Sequence, residues 1–171
     1  MNTKIRFIII AVAVIALAYS IVSGYYYSCV YIIGLIGYML WSQYRDGTVF
    51  LATQAFHKQD YEKTKLLLAE IKNPDHLRKG RRNFYEFMMG NIALKDNRID
   101  EAEYHFQLAS RLPWRKDYEK AMVLINLANI NLRKKDYERT EAYLAIADKL
   151  ALTERQRDIV QKIKKETEKY K

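Results

Sequence analysis

The chain has 171 residues, 29 Lys and Arg against 20 Asp and Glu, a net charge of +9, and one cysteine. That length holds about one ordinary domain. A lone Cys29 excludes an internal disulfide framework, so packing must carry the fold. The charges are unevenly placed: the first 44 residues hold only Lys4 and Arg6, and all 20 acids lie beyond them. Two regions with different surroundings are expected, 1–44 and 45–171.

The N-terminal region holds two apolar runs, 5–22 (IRFIIIAVAVIALAYSIV) and 25–41 (YYYSCVYIIGLIGYMLW), separated by Ser23-Gly24. Each is close to the ~20 residues that cross a hydrocarbon core. Backbone groups in lipid must be bonded internally, so both runs should be helical and form a transmembrane hairpin. Tyr25, Tyr26 and Tyr27 mark the turn, and Trp41 and Tyr44 the far boundary, where amphipathic rings sit at headgroup level. Lys4 precedes the first run and Arg6 sits at its very edge, Arg45 and Lys58 follow the second, and the turn has no cation. The positive-inside rule then puts both ends in the cytoplasm. A bacterial inner membrane is the expected location. Ala16-Leu17-Ala18 also fits a signal-peptide cleavage pattern, but the second run would still return the chain to the cytoplasm.

From Arg45 onward the sequence repeats at a spacing of 38 residues. Leu51, Met89 and Leu127 fall in step, as do Ala52, Gly90 and Ala128, then Tyr61, Ile99 and Tyr137, then Thr64, Ala102 and Thr140, then Leu68, Phe106 and Leu144. A period of this size indicates stacked supersecondary units. Within each unit the apolar residues recur at helical spacing. The expected helices are 48–58 and 60–71, then 84–95 and 99–112, then 118–134 and 137–150. The units are 45–82, 83–120 and 121–152. Asn73-Pro74 and Pro113 act as stops. A last amphipathic helix, 153–170, opens with Thr153 and Gln156 at capping-box spacing. Its Ile159, Val160 and Ile163 can cover the third unit, while Arg155, Arg157, Lys164 and Lys165 face outward. The expected fold class is all-α: a helical hairpin, an α-solenoid of three helix pairs, and a capping helix.

These landmarks resemble the tetratricopeptide repeat family. The residues that carry the resemblance are Met89-Gly90, Ile99, Ala102, Phe106, Ala109 and Pro113, with Leu127-Ala128, Tyr137, Thr140, Leu144 and Ala147 in the third unit and Leu51-Ala52, Tyr61, Thr64 and Leu68 in the first. The period is longer than the family's by about one helical turn, and threonine twice stands for alanine. The resemblance implies a concave face, lined by the first helix of each unit, that grips an extended peptide or a partner helix. In register, Val49, Phe87 and Ile125 share one inner position, Thr53, Asn91 and Asn129 the next, and His57, Lys95 and Arg133 the one after, flanked by Phe50, Met88 and Asn126. Asn91, Asn126, Asn129, Lys95, Arg133 and Phe87 are the peptide-groove candidates. An amide can bond a peptide backbone twice, and a cation pairs with a carboxylate.

The densest charge run, Arg78-Lys79-Gly80-Arg81-Arg82, lies between the first and second units and reads first as a solvated loop and helix start; the second reading offers Arg78, Lys79, Arg81 and Arg82 as contacts to anionic headgroups. Nucleic acid is disfavoured because cations alternate with acids along the helices. Catalysis is not expected. His57, His76 and His105 have no second histidine or cysteine one helical turn away, there is no glycine-rich phosphate loop, and Cys29 lies in an apolar run. No cofactor or metal is implied. The expected partners are a membrane and another polypeptide, held by a scaffold or assembly adaptor. The rival reading is a structural subunit recognised through its hairpin, where Tyr31 and Tyr38 lie on one helical face.

Overall fold

A computed structural model describes residues 3–46 and 48–170, with side chains for 8–41 and 48–170. The side chains of Lys4, Arg6, Tyr44 and Arg45, invoked above for orientation, lie outside the described residues. All described regular structure is helical: α1 Thr3–Val22, α2 Tyr26–Asp46, α3 Val49–His57, α4 Tyr61–Ala69, a 3-10 turn Pro74–His76, α5 Lys79–Lys95, α6 Ile99–Arg111, α7 Asp117–Arg133, α8 Tyr137–Ala147 and α9 Glu154–Glu168. The composition changes at 44/45, whereas the backbone groups into two compact units, Met1–Arg78 and Lys79–Lys171.

In the first unit α1 and α2 form a helical hairpin turned at Gly24, whose φ of 75° is open to glycine without strain. Their shared face buries little beyond Ala13 and Ser20, and the outer faces are apolar and open: Val22 is 88% exposed and Tyr27 90%. Among the described residues no helix is long and apolar enough to cross a membrane. The described side chains of α1 run from Ile8 to Val22 and those of α2 from Tyr26 to Trp41; Ile5, Arg6 and Phe7 of the first expected span lie outside them. The pair α3/α4 packs through buried Val49, Ala52, Thr64 and Leu68, and the Thr48 hydroxyl donates to the Leu67 carbonyl.

The second unit stacks α5/α6, α7/α8 and α9 in chain order, as in an α-solenoid. One core joins Ala93, Ala102, Phe106 and Ala109 to Val123, Leu127 and Ile130. A second joins Leu124, Ile125, Ala128, Leu144 and Ala147 to Val160 and Ile163 of α9. The last helix therefore covers the apolar edge of α7/α8. Its capping box is formed, with the Gln156 amide donating to Thr153 Oγ1 at 3.3 Å and the Thr153 amide to Gln156 Oε1 at 3.0 Å.

The sequence period reappears in the backbone. Gln59, Asn97 and Lys135, 38 residues apart, are the non-glycine residues with positive φ among the described residues, at 60°, 58° and 62°. Each ends the first helix of its pair by the same two bonds. Gln59 N–H donates to Phe56 C=O and Asp60 N–H to Ala55 C=O; Asn97 and Arg98 repeat this on Leu94 and Ala93, and Lys135 and Asp136 on Leu132 and Asn131. That is the Schellman pattern, which satisfies carbonyls otherwise orphaned at a helix end. Asp60 and Asp136 then cap the second helices by accepting from the Lys63 and Arg139 amides, each at 3.1 Å.

The small residue in step 52/90/128 also has a physical cause. A Cβ on Gly90 would lie 2.9 Å from the Phe106 ring. The flanking pairs combine alanine with the shorter leucine, Ala52 with Leu68 and Ala128 with Leu144. Thr64 and Thr140, standing where the middle pair has Ala102, are fully buried, and each hydroxyl donates to the carbonyl four residues back at 2.7 Å. A buried threonine is thereby accommodated without an unpaired hydroxyl.

Candidate binding face

The face expected to bind a partner is built from the first helix of each pair. Its expected residues fall in both units. In the first, Val49 is fully buried, Thr53 is half-buried with its hydroxyl donating to Val49 C=O at 2.9 Å, and Phe50 and His57 are exposed. In the second, Asn91 and Asn126 are half-buried, and Asn129, Lys95 and Arg133 are exposed on α5 and α7. Asn91 and Asn129 hold equivalent positions in their pairs, with Lys95 and Arg133 one turn further on. Asn91 Nδ2 donates to its own helix at Phe87 C=O, 2.7 Å, so the carbonyl end of this amide is the one turned to other uses.

The apolar members of the expected face go inward instead. Ile125 and Met88 are buried, and Phe87 packs edge-on to Phe106 at 6.0 Å and Trp114 at 6.2 Å. Phe87 is thus committed to the core joining α5, α6 and α7 rather than to an open groove. The face that remains is polar and cationic, suited to main-chain amides and carboxylates more than to an apolar anchor.

Beside it lies a charged cluster that spacing alone does not reveal. Glu86 is 1% exposed, its Oε1 paired with Arg82 Nε and its Oε2 with His105 Nδ1 at 2.6 Å. His105 Nε2 lies 3.9 Å from Glu101. Burial, then the Glu86 charge, pushes the Tyr85 hydroxyl above its ordinary pKa. Asn83, also buried, donates from Nδ2 to Pro113 C=O at 2.8 Å. These groups tie α5 to α6 and to the following loop. The only sequence sign of them is a carboxylate inside the apolar run FYEFMM. A second polar tie joins α6 to α7: Lys134 Nζ meets Asp100 and Glu103, each at 2.5 Å. The hydrogen bonds that Lys134 donates to Asp100 and Glu103 raise its pKa.

The membrane-surface candidates divide. In the first unit Arg78 is exposed, with its guanidinium 5.3 Å over the Trp41 ring. In the second, Lys79 is exposed and Arg81 half-buried, whereas Arg82 turns inward to Glu86 with 18% of its side chain exposed. Arg82 is therefore a core-side ion-pair partner rather than a surface contact. The basic run was expected as a loop leading into a helix at 84; α5 already begins at Lys79. Among the described residues, no group of three His, Cys, Asp or Glu side chains is placed to hold a metal ion.

No protein-family model matches the sequence, and no curated protein or solved structure matches it.

Proposed function

We propose that this protein is a membrane-anchored scaffold or assembly adaptor that recruits another polypeptide through the polar face of its tetratricopeptide-like helix pairs. The observation that carries the anchor is the exposure of the hairpin. From Ile8 to Trp41 large apolar side chains face outward on all sides of α1 and α2, with Ile15 69% and Val30 70% exposed. Such a surface needs an apolar phase around it. The expected spans, 5–22 and 25–41, supply the length for that phase to be a bilayer, with Arg6 at the edge of the first as their one charge. The cation placement puts the repeats on the cytoplasmic side of a bacterial inner membrane.

Recruitment rests on Asn91, Asn126, Asn129, Lys95 and Arg133, which offer amides and cations from successive helices. This pairing of groups suits an extended peptide carrying a carboxylate. We read the chain as non-catalytic, because its polar clusters serve to join helices.

The rival reading makes the hairpin itself the recognition surface in a larger membrane complex. Tyr31, 81% exposed, and Tyr38 favour it, since phenols in lipid seek bonding partners. Affinity purification in detergent separates the two. Asn91→Ala, Asn129→Ala and Lys95→Ala together should release the partner, and Tyr31→Ala with Tyr38→Ala should keep it. The reverse result would sink the groove and support the hairpin. Protease added outside intact cells should leave residues 45–171 whole.

A further inference from the structure

The fold sorts the charges of the second unit by end. Helices α5, α7 and α9 begin, and α6 and α8 finish, at one end of the stack. Three contacts fix that end: Asn83 Nδ2 on Pro113 C=O at 2.8 Å, the Phe84 and Trp114 rings 5.2 Å apart, and Gln156 Nε2 on Tyr118 C=O at 2.7 Å. Segments 79–82, 111–120 and 148–158 make up this end and carry ten Lys and Arg against five Asp and Glu. The opposite end, 95–104, 133–141 and 165–170, carries eight against nine, Lys164 being paired with Asp148 nearer the first end. The unit's cationic excess is thus gathered at one end, from three stretches that are distant in sequence.

The two ends also differ in how their charges are used. At the balanced end Arg98 pairs with Asp96 and Glu101, Lys134 with Asp100 and Glu103, Arg139 with Asp136, and Lys169 with Glu166, while Arg133, Lys135 and Lys165 enter no ion pair among the described residues. At the cationic end, among the described residues, Arg111, Arg115, Arg155 and Arg157 enter no ion pair. The first turn of α5 has no acid and begins at Lys79, so its cations oppose the helix dipole. Internal stability does not explain that arrangement. Two amphipathic aromatics sit among these cations. Tyr118 is 40% exposed with Lys116 Nζ 3.0 Å from its hydroxyl, and Trp114 has its indole N–H satisfied by Ala109 C=O at 2.8 Å. Cations interleaved with tyrosine and tryptophan suit the headgroup layer of a bilayer.

We propose that this end of the second unit docks on anionic lipid headgroups. The proposal rests on the reading of the hairpin as a bilayer anchor, because a chain held at a membrane meets lipid phosphate before any other polyanion. Docking on the end, rather than on the helix faces, would leave Asn91, Asn129 and Lys95 open to a partner while the bilayer is engaged.

The test uses the full chain in nanodiscs of phosphatidylcholine, and in discs with about a third phosphatidylglycerol. Amide hydrogen exchange is followed at 111–118 and, as the control, at 133–136. The anionic discs should slow exchange at 111–118 several-fold and leave 133–136 unchanged. Arg111→Gln, Arg115→Gln and Arg155→Gln should abolish that slowing, roughly fivefold in docking strength per cation. Lys135→Gln with Arg139→Gln, at the balanced end, should retain it. Equal exchange in both discs, with the chain still inserted, would overturn the docking and leave the anchor standing. Slowing produced only by an added oligonucleotide or polyglutamate would overturn it in favour of those ligands. Failure to co-purify with either disc would overturn anchor and docking together.

Discussion

Seventeen of the 23 large apolar side chains that are exposed among the described residues lie between Ile8 and Trp41, and six lie in all the rest. The repeat helices hide the same residue types in two continuous cores and turn Lys, Arg, Asp and Glu outward. The hairpin buries Ala13 and Ser20 between its helices and turns isoleucine, valine and tyrosine outward. Water rewards the first arrangement by removing apolar surface from contact with it. It would penalise the second. The comparison shows two helical regions with opposite surfaces, a difference that helix content alone does not reveal.

The largest effect should come from reversing the hairpin's surface. Ile15 and Ile33 are 69% and 59% exposed. Facing lipid, Ile15→Lys with Ile33→Lys should cost about 5–7 kcal/mol of insertion free energy. Membrane fractionation would show the variant leaving the bilayer fraction. Were those side chains facing water, the same substitutions would change stability by only about 0.5 kcal/mol each, and the variant would fractionate as the parent does. That outcome would erase the contrast between the two regions.

Inside the repeats the contrast sharpens to single methyl groups. Gly90→Ala should gain about 1 kcal/mol in helix propensity. It should lose more than that, because its Cβ would press 2.9 Å from a buried ring that has no room to move. A net loss of about 2 kcal/mol is expected in thermal unfolding of the second unit. Combining it with Phe106→Leu recreates the Ala/Leu pairing of the neighbouring repeats. The double variant should then be at least about 1 kcal/mol more stable than the two single losses added together. Strict additivity would show that the ring and the glycine do not constrain each other.

Much of this architecture was legible in the sequence. The spacing of Ala52, Gly90 and Ala128 against Leu68, Phe106 and Leu144 places the helix crossings, and five of the six repeat helices, with the capping helix, fall within a few residues of expectation. The exception is the start of α5 at Lys79, hidden because a cationic run reads as a solvated loop while a helix stacked on α6 can carry it. The binding face was only partly legible. Periodicity shows which residues share a stripe but not which stripe a neighbouring pair covers, so Phe87, Met88 and Ile125 read as groove positions and fold inward. Glu86 escaped for a related reason: its partners Arg82 and His105 lie 4 and 19 residues away, and only tertiary packing brings the histidine to it. The cationic end is likewise invisible in sequence, because 79–82, 111–120 and 148–158 become neighbours only once five helices are stacked.

The smallest predicted effect compares the three turns that share one backbone. Gln59, Asn97 and Lys135 all adopt the left-handed conformation. Asparagine tolerates it; glutamine and lysine bear the crowding of Cβ against the carbonyl, about 1 kcal/mol each. Lys135→Gly and Gln59→Gly remove that crowding but loosen the unfolded chain, so each should stabilise by roughly 0.5 kcal/mol. Asn97→Gly should gain less, since asparagine is already suited to the position. Lys135→Val should go the other way, because a β-branched side chain is poorly tolerated there. Melting temperatures of the four variants would rank them. If Asn97→Gly gained as much as Lys135→Gly, residue type at the turn would not matter, and the 38-residue period would owe its regularity to the cores alone.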